Sequence, residues 1–155
     1  MKNLKDIIIE KLKIGSKSKI DKYEYHPKDK DELMKLLDKL IKKRGLEGDF
    51  NDIDTSKITD MSMLFTFSRP NFNGDISNWD VSNVKDMHFM FADTKFAGDI
   101  SKWDVSNVEN MNNMFFGCND FDCDLNNWNV KKAKNMQYMF DYSPLEKNPP
   151  KWYHE

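Results

Sequence analysis

The chain of 155 residues has little of what marks a membrane, secreted or metal-binding protein. Unbroken apolar runs such as Ile7-Ile8-Ile9 stop after three or four residues, far short of the roughly 20 needed to cross a bilayer. No secretory signal is evident after Met1, because Lys5, Asp6, Glu10 and Lys11 interrupt the apolar residues and no small-residue cleavage site follows. The expected location is therefore cytoplasmic, with surface exposure as the alternative. Only two cysteines are present, Cys118 and Cys123, too few for a zinc site and suited to free thiols packed as small hydrophobes. The three histidines, His26, His88 and His154, fall in no ligand spacing, and no P-loop, GxGxxG or G-x-S-x-G motif occurs. Neither a cofactor nor a metal is expected, and no enzymatic activity.

Charge of one sign is also lacking overall, at a net -2, but this hides an asymmetry. Residues 1–47 carry 14 basic against 9 acidic side chains, and residues 48–155 carry 10 against 17. A phosphate-tracking surface needs a basic stripe, so direct nucleic-acid binding gains no support. Membrane-surface binding by residues 1–14 gains little, since Asp6 and Glu10 offset the lysines and no Trp or Phe is present there.

What is abundant is periodic. Trp79, Trp103 and Trp128, then Met61, Met87, Met111 and Met136, then Phe65, Phe91, Phe115 and Phe140, recur at 24 to 26 residues. One unit reads Phe72-x-Gly74-Asp75-Ile76-x-x-Trp79-Asp80-Val81-Ser82-Asn83-Val84-x-x-Met87-x-x-Met90-Phe91. A second runs from Phe96 to Phe115, a third from Phe121 to Phe140, and a degenerate earlier one from Leu46 to Phe65. A period of this length implies a stack of units, none able to bury its apolar face alone.

Ile76, Trp79, Val81 and Val84 match the leucine-rich spacing L-x-x-L-x-L-x-x-N, which predicts a short strand at Trp79-Asp80-Val81. Val84, Met87, Met90 and Phe91 fall at i, i+3, i+6 and i+7, which predicts a two-turn helix capped by Ser82 or Asn83. The expected fold class is α/β: a leucine-rich-repeat-like solenoid of short strand plus short helix coils with an N-terminal helical cap. Residues 1–45 form the cap region, 46–142 about four repeats, and 143–155 a C-terminal cap where Pro149 and Pro150 stop the stack. The clearest helix covers 29–45, from the Asp29/Glu32 capping signal through Leu33, Leu36, Leu37, Leu40 and Ile41 to Gly45. A second amphipathic helix is expected over 1–14, and a short strand around Tyr23 and Tyr25.

The D-I-S-N-W-D-V-S-N-V-x-x-M-x-x-M-F string, at Asp75 to Phe91 and nearly intact at Asp99 to Phe115, resembles the BspA-type repeat of bacterial surface proteins and lipoproteins. The likeness covers roughly residues 46–142. It implies adhesion or protein interaction and supplies no catalytic residues.

Repetition builds surfaces rather than active sites, because a site needs unlike residues converging once. The outward ladder is Asp54, Asp80, Asp104 and Asn129, flanked by Asp52, Asn78, Lys102 and Asn127. Two readings remain open. Either neighbouring Ser, Asn and backbone groups satisfy each Asp and the ladder only shapes turns, or the acidic, Asn-rich face docks a basic partner or a cation. Residues 48–130 carry 14 acidic and 5 basic side chains, which steers basic ligands. The expected function is a non-enzymatic protein–protein interaction module, an intracellular binder or inhibitor presenting an acidic repeat face to a basic protein. The alternative is an adhesin-like surface or structural module.

Overall fold

A computed structural model describes residues 21–154. The helix expected over 1–14 lies outside the described residues. The one α-helix among them, α1, is Lys30–Arg44. Asp29 caps it by accepting the Glu32 N–H at 2.9 Å, Asp31 and Glu32 occupy its first turn, and Lys42, Lys43 and Arg44 its last. These charges oppose the partial charges of the helix ends. Gly45, at φ 82°, ends it and donates its N–H to the Ile41 carbonyl at 2.8 Å, a left-handed stop that favours glycine. Leu33, Leu37 and Leu40, on one face, join the central core.

Beyond α1, the α/β leucine-rich-repeat-like solenoid of strand-plus-helix coils does not form. Among the described residues no strand exceeds a single isolated bridge, so there is no sheet, and the only other helical piece is a 3-10 turn, Pro144–Glu146. Trp79-Asp80-Val81 is not a strand. Its bonds are local reverse turns, from the Trp79 N–H to the Ile76 carbonyl and from the Val84 N–H to the Val81 carbonyl. The segment from Val84 to Phe91 is not a helix either, for two physical reasons. Asp86 captures the His88 N–H at 3.0 Å, offering the backbone an alternative to a helical bond. Phe89 stands at φ 53°, which no α-helix accommodates. Asn83 and Asn107, expected near helix caps, instead donate to the Ser56 and Ser82 carbonyls at 2.7 Å.

The sequence units nonetheless lie side by side. Parallel bridges join Asp60 to Asp86, Asp86 to Asn110 and Asn110 to Asn135. Tyr25, expected in a short strand, makes one bridge to Ile53. Inside, the phenylalanines stack continuously. Phe65, Phe91, Phe115 and Phe140 follow one another at 5.3, 5.6 and 5.8 Å between centroids, and Phe72, Phe96 and Phe121 at 6.4 and 6.0 Å. Offset aromatic contacts at such distances add about 0.5–1.5 kcal/mol each beyond area burial. Tryptophans serve differently: each indole N–H donates to a carbonyl of the preceding unit, Trp79 to Phe50, Trp103 to Ile76, Trp128 to Ile100 and Trp152 to Leu125. These bonds satisfy buried polar groups at both ends and help fix the register.

Arg69 ties α1 to the first unit. It is buried, and its guanidinium donates to the Leu64 carbonyl at 2.7 Å, the Met34 carbonyl at 3.1 Å and the Asp38 carboxylate at 2.5 Å.

Candidate functional site

The ladder residues occupy corresponding turns of successive units. Asp54 Oδ1 accepts the Ser56 N–H and hydroxyl at 3.0 and 2.6 Å, and Asp80 Oδ1 accepts those of Ser82 at the same distances. Asp104 Oδ1 takes the Ser106 N–H at 3.1 Å, and Asn129 Oδ1 the Lys131 N–H at 3.3 Å. Each side chain therefore closes a turn two residues on, a local device that Asp and Asn share because both carry an acceptor at that reach. For the Asp residues the second carboxylate oxygen is not used in this turn. Burial pushes the Asp54 carboxyl up, but the Ser56 hydroxyl and N–H and His26 outweigh it and hold the group below the usual range. The neighbouring Ser106 hydroxyl and N–H hold Asp104 down as well.

The flanking residues divide. Asn78, Lys102 and Asn127 are exposed, and Asn78 and Lys102 border one shallow concavity with Ser77 and Asp99. Asp52 is set apart: Arg44 clasps it with two nitrogens at 2.7 Å each and holds its carboxyl low. Asp54, at the same end, faces His26 at 3.2 Å, whose other ring nitrogen lies 3.0 Å from Asp21. The free carboxylates of the ladder are thus concentrated at Asp80 and Asp104. Two further rows repeat the turn device, Asp75, Asp99 and Asp124 on one side and Asp60, Asp86, Asn110 and Asn135 on the other. Among the described residues no group of three or more His, Cys, Asp or Glu is placed to hold a metal ion.

A second feature was missed by reasoning from the sequence. Met63, Phe67, Phe89, Asp93, Asn113, Tyr138 and Tyr142 all adopt φ between 53° and 58°. They are the second and sixth residues after the first methionine of each unit, and Gly117, at φ 68°, occupies the sixth in the third. The left-handed turn aims the large side chains outward. Phe67 is 78% exposed, Tyr142 67%, Tyr138 59% and Met63 42%, while Phe116 and Tyr142 meet edge to face at 5.1 Å. The available signal was a bulky residue between the inner positions of the methionine run, which a helix reading assigns to an ordinary solvent face.

A family described as "Mycoplasma protein of unknown function, DUF285" matches residues 35–152, which span the rows just described and most of α1. The chain belongs to this family. No curated protein and no solved structure matches it. The DUF285 match takes in every ladder residue from Asp52 to Asn129, so the turn-closing carboxylates and the outward aromatic row both lie inside the family region. No helix among the described residues is long and apolar enough to cross a membrane.

Proposed function

We propose that this DUF285 chain is a non-enzymatic protein-interaction module that presents its acidic repeat face, and with it the exposed aromatics Phe67, Tyr138 and Tyr142, to a basic surface of another protein. One observation carries the reading: left-handed positions that recur in every unit hold Phe67, Tyr138 and Tyr142 in solvent, although Asp93, Asn113 and Gly117 serve the same backbone positions in the units between. Exposed apolar groups rimmed by polar ones mark interaction surfaces. The 14 acidic against 5 basic side chains of residues 48–130 favour a basic partner. Two unpaired thiols, one of them buried, suit a reducing cytoplasm. The resemblance to BspA-type repeats supports protein interaction as well, and favours an adhesin-like role on the cell surface as the second reading. Fractionating native cells separates the two locations.

The binding test uses substitutions that keep the turns. Replacing Asp80 and Asp104 by lysine would remove the acceptor that closes each turn, whereas Asp80→Asn with Asp104→Asn retains it, as Asn129 does. A partner captured from native extract is identified, purified and titrated calorimetrically against the chain at low and high salt. The double Asn variant weakens binding about fivefold, and salt weakens it further. Phe67→Ser with Tyr142→Ser weakens it independently of salt. Unchanged affinity in both variants refutes the proposal.

A further inference from the structure

Along the methionine run of each unit, hydrogen bonds to the next unit all point one way. The N–H groups of Met61, Met63 and Phe65 donate to the carbonyls of Asp86, His88 and Met90. Met87, Phe89, Phe91 and Asp93 donate to Asn110, Asn112, Met114 and Phe116, and Met111, Asn113, Phe115 and Gly117 to Asn135, Gln137, Met139 and Asp141. In a β-sheet successive peptide groups face opposite neighbours and strand dipoles nearly cancel. Here every second N–H faces the following unit, so the peptide dipoles add as they do along a helix.

Such a row ends in carbonyls on one side and N–H groups on the other. At the carbonyl end Arg69 donates to the Leu64 carbonyl, and Lys30, the first residue of α1, places Nζ 2.6 Å from the Ser62 hydroxyl and 3.5 Å from the Asp60 carboxylate. At the N–H end, Glu146 accepts the Tyr142 N–H at 3.0 Å. The N–H groups of Met136 and Tyr138, which correspond to Met111 and Asn113, have no acceptor among the described residues, while Phe140, the counterpart of Phe115, is buried with its ring against Trp152 and Tyr153. Met136 and Tyr138 line a cavity of about 500 Å³ with Lys134, Asp141, Tyr153 and His154, and Lys134 is paired at its rim with Glu109 at 2.5 Å. Charge reverses here too. The fourth unit has Lys131, Lys132 and Lys134 where the second has Ser82, Asn83 and Lys85, and residues 131–155 carry five lysines against three acidic side chains.

We propose that this open edge docks an extended acidic segment of a partner protein. The segment lays alternate backbone carbonyls on the N–H groups of Met136 and Tyr138, in the register that each inner unit offers its neighbour, with its carboxylates toward His154 and toward Lys134, which turns to them from its exposed pairing with Glu109. An unpaired row of backbone groups is a template for such addition. Donors on two alternate residues match carbonyls at i and i+2 of a peptide, whereas one small anion meets a single donor cluster. A second copy offers a poorer edge, because Arg69 already occupies its Leu64 carbonyl and Ser62 and Leu64 are buried. The chain's own residues 1–20 carry six lysines against two acidic side chains and have the wrong charge. This site is distinct from the acidic face and takes a partner of opposite charge.

The test is amide exchange and ¹⁵N chemical-shift titration of the full chain. The probe is a capped nonapeptide with the sequence of residues 109–117, carrying aspartate in place of Asn110 and Asn112. Without it, the Met136 and Tyr138 amides exchange roughly tenfold or more faster than those of Met111 and Asn113. The peptide slows both, a version with lysine at the two changed positions binds more weakly, and Lys134→Glu weakens the acidic peptide about fivefold. Three results overturn the proposal: no protection at these amides, equal protection by inorganic phosphate alone, or protection that rises with protein concentration in the absence of peptide.

Discussion

The left-handed row makes a quantitative test at Phe67, whose φ is 57° and whose side chain is 78% exposed. An L-residue in this region costs about 1–2 kcal/mol relative to the right-handed one, because Cβ crowds the following carbonyl. Glycine escapes that crowding but loses about 0.5–1 kcal/mol through the extra freedom of its unfolded state. Truncating the ring also removes its residual burial, about a fifth of an aromatic side chain, or roughly 1 kcal/mol at 25 cal/mol per Å². Phe67→Gly alone therefore changes stability little, since the gain and the losses nearly cancel. Phe67→Ala suffers the same loss of burial while keeping Cβ, so the difference between the two isolates the strain. Phe67→Gly should be more stable than Phe67→Ala by about 0.5–1 kcal/mol, some 2 °C in Tm for a chain of this length. Urea unfolding followed by the fluorescence of the tryptophans measures the difference directly. Gly117→Ala is the mirror experiment. At φ 68° the new methyl would lie 2.1 Å from Asp93 Oδ1, so a loss of about 1–2 kcal/mol follows from strain and displacement of the carboxylate together. If Phe67→Ala equals or exceeds Phe67→Gly, the left-handed row is not strained and the argument built on it fails.

Three further outcomes follow from the packing and the titrating groups. Asp75, Asp99 and Asp104 are held below the ordinary carboxylate range by the N–H and hydroxyl groups of Ser77, Ser101 and Ser106. Their contribution is complete above the unfolded pKa of about 3.9 and is lost as pH falls through the lower folded values. The urea midpoint should accordingly drop below about pH 4, and less so in Asp75→Asn with Asp104→Asn. Arg69→Met leaves the Leu64 and Met34 carbonyls without their guanidinium donor, so denaturation should register a loss of about 2–4 kcal/mol. Burial pushes the Cys118 thiol up to about 11, and Cys123 is less enclosed. Mass spectrometry after alkylation of the native chain at neutral pH should find Cys123 modified and Cys118 intact, both reacting on unfolding.

The helix Lys30–Arg44 was legible in the sequence to within a residue because its signals are local: a capping carboxylate, a 3.6-residue apolar stripe and a terminal glycine. The inner positions were legible too, since Ile76, Trp79, Val81, Val84, Met87, Met90 and Phe91 are all buried. Secondary structure inside the units was not. Spacings of 3, 2 and 3 followed by i, i+3, i+6 and i+7 describe which side chains face inward, and a chain of reverse turns satisfies them as well as a strand and a helix do. The deciding facts are where the N–H groups go. At Met87, Phe89 and Phe91 they go to the next unit, and at His88 to Asp86, so neither a helical nor a sheet pattern survives. The Asp ladder was visible as a row, yet its use in closing turns and the removal of Asp52 by Arg44 depend on side-chain geometry that spacing does not encode.

By itself, the sequence determined that like units recur every 24 to 26 residues, which residues of each are apolar and inward, and that a basic beginning precedes an acidic middle. These are properties of composition and period, and they hold whatever path the backbone takes. Only the tertiary structure decided the direction of the peptide groups, because that depends on dihedrals set jointly by neighbouring units. The left-handed positions turn Phe67, Tyr138 and Tyr142 outward, the aligned donors leave Met136 and Tyr138 open at one end, and α1 with Arg69 closes the other. An exposed aromatic row and a polar edge thus arise from backbone geometry that no single unit specifies alone.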